Sequence, residues 1–123
     1  MNAVVSTITQ LLPAEIITTD PEQITLYSQD VFTVGPPICA VVRPRNIDEV
    51  QALVRACLDR GTPIVTRGGG MSYTSGYIAN APDSVLIDMA SMDAIVEVNL
   101  EDRYVTVEAG CSWQKLYEHL APL

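Results

Sequence analysis

The sequence predicts an α/β chain: a small parallel β-α-β sheet flanked by helices, followed by the start of a second, largely antiparallel sheet. Three observations carry this. Two compact apolar runs, Ile38 to Val42 and Pro63 to Thr66, bracket a stretch of helical periodicity, an order that a parallel crossover satisfies. Past the second run, apolar and polar residues alternate through 95–99 and 104–109 around a polar Leu100-Glu101-Asp102-Arg103, as in a hairpin. Helical patterns stand at both ends of the chain.

In order, Val4, Ile8, Leu11 and Leu12 keep helical spacing over residues 3 to 12, and Pro13 stops the run. Asp20-Pro21-Glu22-Gln23 supplies an N-cap, a first-turn proline and a capping-box glutamine, so a short helical turn is expected to about Leu26. Tyr27-Ser28-Gln29-Asp30 reads as irregular, and Gly35-Pro36-Pro37 as a rigid break before the first buried strand. Pro44 ends that strand. Asn46-Ile47-Asp48-Glu49 then has the marks of a helix start, with Asn as cap and Glu at the capping-box position. Val50, Leu53, Val54, Cys57 and Leu58 form its apolar stripe, and Gly61 stands where a helix ends. Ser84 to Asp88 is a further buried strand. Gly110 breaks the hairpin, and Ser112 caps a last helix whose Trp113, Leu116 and Leu120 are expected in the core.

The chain has 123 residues, 48% of them hydrophobic and 18% charged, which suits one globular domain with a real core. Its net charge of −8 argues against general nucleic-acid binding, which depends on Lys and Arg neutralising phosphates. Five of the seven basic residues nevertheless lie between Arg43 and Arg67, a local excess that suits a small anion. Arg55 and Arg60 also fit ordinary helix-surface charge. The three cysteines, Cys39, Cys57 and Cys111, form no metal or disulfide pattern and read as buried reduced thiols. No apolar run is long enough for a membrane span and the N-terminus lacks a signal-peptide pattern, so a cytoplasmic chain is expected.

The chemistry concentrates in Thr66-Arg67-Gly68-Gly69-Gly70-Met71-Ser72-Tyr73-Thr74-Ser75-Gly76. Consecutive glycines bring bare backbone, whose inward-turned N–H groups form a nest for phosphate oxygens. Arg67 adds a cation at the rim, and Ser72, Thr74 and Ser75 add short hydroxyls. A P-loop is excluded because Met71-Ser72, not Lys followed by Ser or Thr, follows the last glycine. A Rossmann fingerprint is excluded because Tyr73 stands where its third glycine belongs. The loop taken alone fits either a diphosphate cradle or a flexible turn between strands. Tyr73 and Tyr77 fit either an approach to a ligand or packing under the loop. His119, alone near the end of a helix, reads as a surface or cap residue.

The blocks in order resemble the N-terminal part of the PCMH-type FAD-binding domain, the family of vanillyl-alcohol oxidase, p-cresol methylhydroxylase and the glycolate- and D-lactate-oxidising flavoproteins. Those blocks are Tyr27 to Asp30, Ala40 to Pro44 leading into Asp48-Glu49-Val50, Pro63 to Gly70, Gly76, Val85 to Met89 and Val105 to Gly110. The resemblance covers about residues 20 to 123. It implies a partial FAD-binding domain over 1–123, with 38–123 as the nucleotide-binding part and 1–37 as a helical lead-in. It implies FAD as cofactor, with its diphosphate on the backbone of Arg67, Gly68, Gly69, Gly70, Met71 and Ser72. Ser72, Thr74, Ser75 and Gly76 would run toward the flavin, with Val42 to Pro44 and Ala109-Gly110 near the nucleotide.

Many relatives carry His at the position of Met71 and bind the flavin covalently there. A thioether does not readily form that link, so non-covalent FAD is expected. The implied activity is oxidation of a small alcohol or 2-hydroxy acid by hydride transfer to FAD N5. No catalytic residue is assigned, and the substrate would be met by a domain that this sequence does not contain. The chain is accordingly expected to be a fragment or one part of a split enzyme, self-associating or completed by another chain. Two other classes stand beside this one: a non-catalytic FAD-binding subunit, and a structural α/β domain whose loop binds nothing.

Overall fold

The computed structural model describes residues 2–123. Helix α1 (Ala3–Leu11) starts where the Asn2 side chain accepts the Val4 N–H at 2.9 Å, and stops as Leu12 turns extended before Pro13. A 3₁₀ turn, Ala14–Ile16, leads into the two-residue strand β1 (Ile17–Thr18). Helix α2 (Pro21–Tyr27) is capped by Asp20, which accepts from Gln23 N–H at 3.1 Å. Strands β2 (Ala40–Val42), β3 (Ile64–Arg67) and β4 (Val85–Asp88) complete a four-stranded sheet in the order β1-β2-β4-β3. The last three are parallel to one another, and β1 pairs antiparallel along the edge of β2.

Strands β2 and β3 are parallel, as the strand-helix-strand order predicts, but they are not neighbours. Strand β4 lies between them, although it follows both in sequence. All four of its residues are buried, and an apolar run covered on both faces suits the middle of a parallel sheet. Strand β1 is too short to leave any periodicity in the sequence.

Alternation along the strands creates two cores. Ala40, Val42, Val85 and Ile87 face α1 and helix α3 (Ile47–Leu58), against Val4, Val5, Ile8, Leu53, Ala56 and Cys57. Val41 and Leu86 face the other way, toward Ile38, Ala79, Ile24 and Tyr27. Helix α3 thus has Leu53, Val54 and Cys57 of its expected stripe inside, whereas Leu58, at its last turn, is exposed. Its ends are set locally. Asn46 accepts the Glu49 N–H at 2.9 Å, and Gly61, at φ +62°, gives the paired terminal bonds of Thr62 N–H to Cys57 C=O and Gly61 N–H to Leu58 C=O. The capping box departs from expectation, since the Glu49 carboxylate takes the Arg45 N–H at 2.7 Å and the Arg45 guanidinium at 2.6 Å rather than the Asn46 N–H.

A separate two-stranded sheet joins β5 (Ile95–Asn99) to antiparallel β6 (Tyr104–Val107), with a bulge between Ile95 and Glu97. Its root is fixed by Glu108 N–H to Ala94 C=O and Gly110 N–H to Met92 C=O, both 2.8 Å. Helix α4 (Trp113–Leu120) is capped by Ser112 as expected. Its core assignment is corrected: no α4 residue is buried, and Trp113 is 86% exposed, because no element lies over that side of the helix. Among the thiols only Cys57 is buried. Cys39 and Cys111 are half-buried, and burial pushes the Cys39 thiol up to about 11. No helix among the described residues is long and apolar enough to cross a membrane.

Replacing Leu53, which is fully buried between α3 and the sheet, by Ala is expected to lower unfolding free energy in urea by about 2–5 kcal/mol. Asn46→Ala, which removes only a cap, is expected to lower it by about 1 kcal/mol. Equal losses would contradict this division between core and cap.

Candidate functional site

The parallel strands end together. The register that sets Val42 beside Ile87, and Arg67 beside Asp88, puts Arg43, Asp88 and Arg67 in one row across the carboxyl edge of the sheet, the edge where open α/β sheets offer a crevice. Asp88 is 1% exposed yet polar, so its partners define the edge. Its Oδ2 accepts from Arg43 Nη2 at 2.8 Å, Arg43 Nε at 3.1 Å and Tyr27 Oη at 2.9 Å, while Oδ1 accepts the Ala90 N–H at 3.0 Å. Arg43 also donates to Tyr27 Oη at 2.8 Å. The hydrogen bond to Asp88 raises the Arg43 pKa above its ordinary value despite partial burial.

Beyond β3 the chain enters the glycine loop. Gly70 takes φ +70°, in the left-handed region that glycine adopts without strain. The main-chain N–H groups of Gly69, Gly70, Met71, Ser72 and Tyr73 find no protein acceptor among the described residues. The three glycines differ in what they face. A Cβ on Gly68 would stand 3.2 Å from the Ala109 carbonyl, and one on Gly70 would collide with the Arg67 guanidinium. One on Gly69 would meet nothing within 4 Å. Gly69 therefore borders open space beside a row of unpaired donors, a surface suited to the oxygens of a phosphate chain.

Two clamps shape the loop. Ser72 Oγ accepts the Gly76 N–H at 3.1 Å and the Thr74 N–H at 3.4 Å, closing the distal turn on itself. A side chain on Gly76 would strike that hydroxyl. Asp30 reaches across from the lead-in: Oδ1 accepts the N–H groups of Phe32 at 2.8 Å and Thr33 at 2.6 Å, and Oδ2 accepts Ser75 N–H at 3.1 Å. These donors, Phe32 first, hold the Asp30 carboxyl below its ordinary value against the opposing effect of burial. Ser75, at φ +62°, is fixed further by Thr33 Oγ1 at 3.4 Å.

The predicted site residues fall into distinct places. Gly68, Gly69, Gly70, Met71 and Ser72 form one continuous backbone surface, with Ala109 against it and Gly110 packed on the carbonyls of Met89 and Met92. Met71 projects outward, 84% exposed, and Tyr73 is exposed as well. Tyr77 is buried under the loop, its hydroxyl donating to Gly70 C=O at 3.2 Å. Pro44 is buried just past β2. The hydroxyl of Ser72 is engaged within the loop, and Arg67 turns back toward the lead-in instead of standing at the rim. His119 is exposed in the last turn of α4. No group of three or more His, Cys, Asp or Glu among the described residues is placed to hold a metal.

Sequence reading assigned no structural role to Asp88, Asp30 or Tyr27. A signal existed for Asp88, since a carboxylate closing an otherwise apolar buried strand demands a partner. Asp30 left only the weaker signature of a polar turn.

Comparison with known proteins places this geometry. The model of a family described as FAD binding domain matches residues 38–123. Mitochondrial D-lactate dehydrogenase [cytochrome] of Kluyveromyces lactis is 32% identical over 82 residues, and that of Arabidopsis thaliana 36% over 80 residues. Each alignment covers 65% of this chain and 14% of the relative, so the chain spans a small part of the length of these curated proteins. Among solved structures, 4-ethylphenol oxidase from Gulosibacter chungangensis superposes with a TM-score of 0.84 at 23% identity, and p-cresol methylhydroxylase with 0.80 at 24%. Both superpositions cover 97% of this chain and 24% of the other, and they show the shared fold.

Two outcomes follow from the clamps. Arg43→Ala strips Asp88 of its cation. Because Arg43 is 48% exposed, the loss in urea unfolding is expected at about 1–3 kcal/mol, short of the roughly 3–5 of a fully buried pair. An unchanged midpoint would show that Tyr27 and Ala90 suffice. For Asp30, the folded pKa lies below the ordinary 3.8. Its contribution is therefore complete above 3.8 and lost as pH falls through the lower folded value. The stability gap between the native chain and Asp30→Ala should be full at neutral pH and close in acid. A gap independent of pH would mean that the carboxylate is not the clamp.

Proposed function

The chain belongs to the FAD binding domain family, and from that premise we propose that it is the diphosphate-holding portion of a flavin-dependent oxidoreductase acting on a small alcohol or 2-hydroxy acid. The observation that carries this reading is the run of unpaired N–H groups from Gly69 to Tyr73 beside the open space at Gly69. A diphosphate needs convergent donors and close approach. Here main-chain dipoles provide them in a chain whose net charge is −8.

In this reading residues 38–123 hold the nucleotide, and 1–37 form a lead-in that shapes the loop from one side. Pro44 and Ala109-Gly110 border the cofactor, and Ser72, Thr74, Ser75 and Gly76 lead toward its flavin end. FAD, when bound, supplies a two-electron acceptor for a hydride from a substrate C–H. The chain's own part is to bind, orient and neutralise. Met71 offers a solvent-facing thioether and no imidazole, so the cofactor is held without a covalent bond. A 2-hydroxy acid agrees with the names of the two D-lactate dehydrogenases.

A second reading is favoured by one observation: Val96, Leu100 and Tyr104 on the hairpin, and Trp113 and Tyr117 on α4, are all exposed. In that reading the chain is a non-catalytic cofactor-binding module that works only when further polypeptide covers these apolar side chains.

Absorbance and flavin-fluorescence titration with FAD test the proposal. Gly69→Ala is expected to weaken FAD binding by on the order of tenfold or more while leaving the urea midpoint in place, because its Cβ obstructs only the ligand. Gly70→Ala, whose Cβ meets Arg67, is expected to lower both. Denaturation followed by filtration should release all flavin into the filtrate. No binding by the native chain, or flavin retained with the denatured protein, would overturn the corresponding part of the reading.

A further inference from the structure

Arg67 is the one cation of the glycine loop, and the contacts that fix its guanidinium come from the fold. Its Cζ lies 4.9 Å from the centroid of the Tyr27 ring and 5.3 Å from that of Tyr77. The guanidinium fills the volume into which a Gly70 side chain would project, so Gly70 rests directly on it. Tyr77 secures the same residue from another direction through its bond to Gly70 C=O at 3.2 Å. No carboxylate lies within ion-pair distance of Arg67 among the described residues. Its charge is met instead by aromatic faces, which suits a planar guanidinium better than an ammonium.

The guanidinium is taken up by the two rings, one from the lead-in and one from beneath the loop. It lines a cavity of about 290 Å³ with Leu26, Tyr27, Asp30, Val31 and Tyr77, on the lead-in side. The Tyr27 ring that meets it is itself fixed, because the Tyr27 hydroxyl is tied to Asp88 at 2.9 Å and Arg43 at 2.8 Å. A continuous path of contacts therefore runs from the buried carboxylate through Tyr27 to Arg67 and on to Gly70.

We propose that Tyr27 and Tyr77 hold Arg67 as a strut beneath Gly70, presetting the loop so that its free N–H groups stand ready for one anion, and that the guanidinium itself makes no bond to that anion. Arg67, Tyr27 and Tyr77 are thus positioning residues. Tyr27 lies outside the matched span 38–123, so the lead-in is an integral part of the site. The identity of the anion as the FAD diphosphate rests on the function proposed above; the strut does not.

The test pairs FAD titration between about 50 and 200 mM sodium chloride with backbone ¹⁵N order parameters of Gly68 to Tyr73 in ligand-free protein, on chains whose far-UV circular dichroism is native. Arg67→Met and Tyr27→Leu are expected to lower the loop order parameters and weaken FAD by about tenfold at every salt concentration, leaving the salt dependence as in the native chain. Arg67→Lys, which keeps the charge but not the plane, should behave like Arg67→Met. Tyr27→Phe, which keeps the ring but loses the hydroxyl that ties it to Asp88 and Arg43, should leave the loop order between that of the native chain and that of Tyr27→Leu. The proposal is overturned if Arg67→Met flattens the salt dependence and Arg67→Lys restores it, since Arg67 would then bind the phosphates directly. Should no chain bind FAD, the order parameters still decide: a loop equally ordered without the guanidinium would leave no strut.

Discussion

The constraint on which this structure depends is the burial of one carboxylate. Asp88 closes the central strand at 1% exposure, and an ionised group so placed must be met by a cation and by hydrogen-bond donors. Arg43 at the end of β2 meets it from one side, and Tyr27 at the end of α2 meets it from above. Those bonds fix the position of α2 on the sheet, the direction in which β2 leaves it, and the ring against which Arg67 lies. A polar cluster satisfied at every atom is rigid, because any displacement would leave a desolvated charge. The carboxyl edge of the sheet is thereby a firm base for a loop that has almost no side chains with which to hold its own shape.

The glycine loop is accordingly shaped from outside. Asp30 clamps its distal arm, Ser72 folds that arm on itself, and Arg67 and Tyr77 support Gly70 from below. Between these supports the backbone from Gly69 to Tyr73 carries unpaired donors beside open space. Oriented donors that need not rearrange are worth more to an anion than flexible ones, because little ordering remains when it arrives. An acidic chain can hold phosphate in this way with its field confined to one short segment of backbone.

The hairpin and α4 follow a different logic. Each has good local chemistry: Asn99 accepts the Asp102 N–H at 2.8 Å in the turn, Ser112 caps the helix, and Lys115 pairs with Asp93 at 2.9 Å. Neither has a covering layer, so Trp113, Tyr117, Val96 and Leu100 face outward. Local signals suffice to form these elements, while burial of their apolar faces needs a surface that residues 2–123 do not supply. The same contrast separates them from α3, whose stripe meets both the sheet and α1.

By itself the sequence determined the four helices and the strands β2 to β6, the chemical character of the glycine loop, and the family resemblance. Caps, terminal glycines and apolar periodicity act over three to five residues and leave their mark in adjacent letters, as Asn46 with Glu49 and Gly61 with Leu58 show. Tertiary structure alone decided that β4 enters between β2 and β3, that Trp113 lies outside the core, and that Arg67 turns from the rim to the lead-in. It also brought together Tyr27 with Asp88 and Asp30 with Ser75, pairs separated by 61 and 45 positions. Such contacts are chosen by whichever buried polar group must be satisfied once the strands have packed, and no local pattern records that choice.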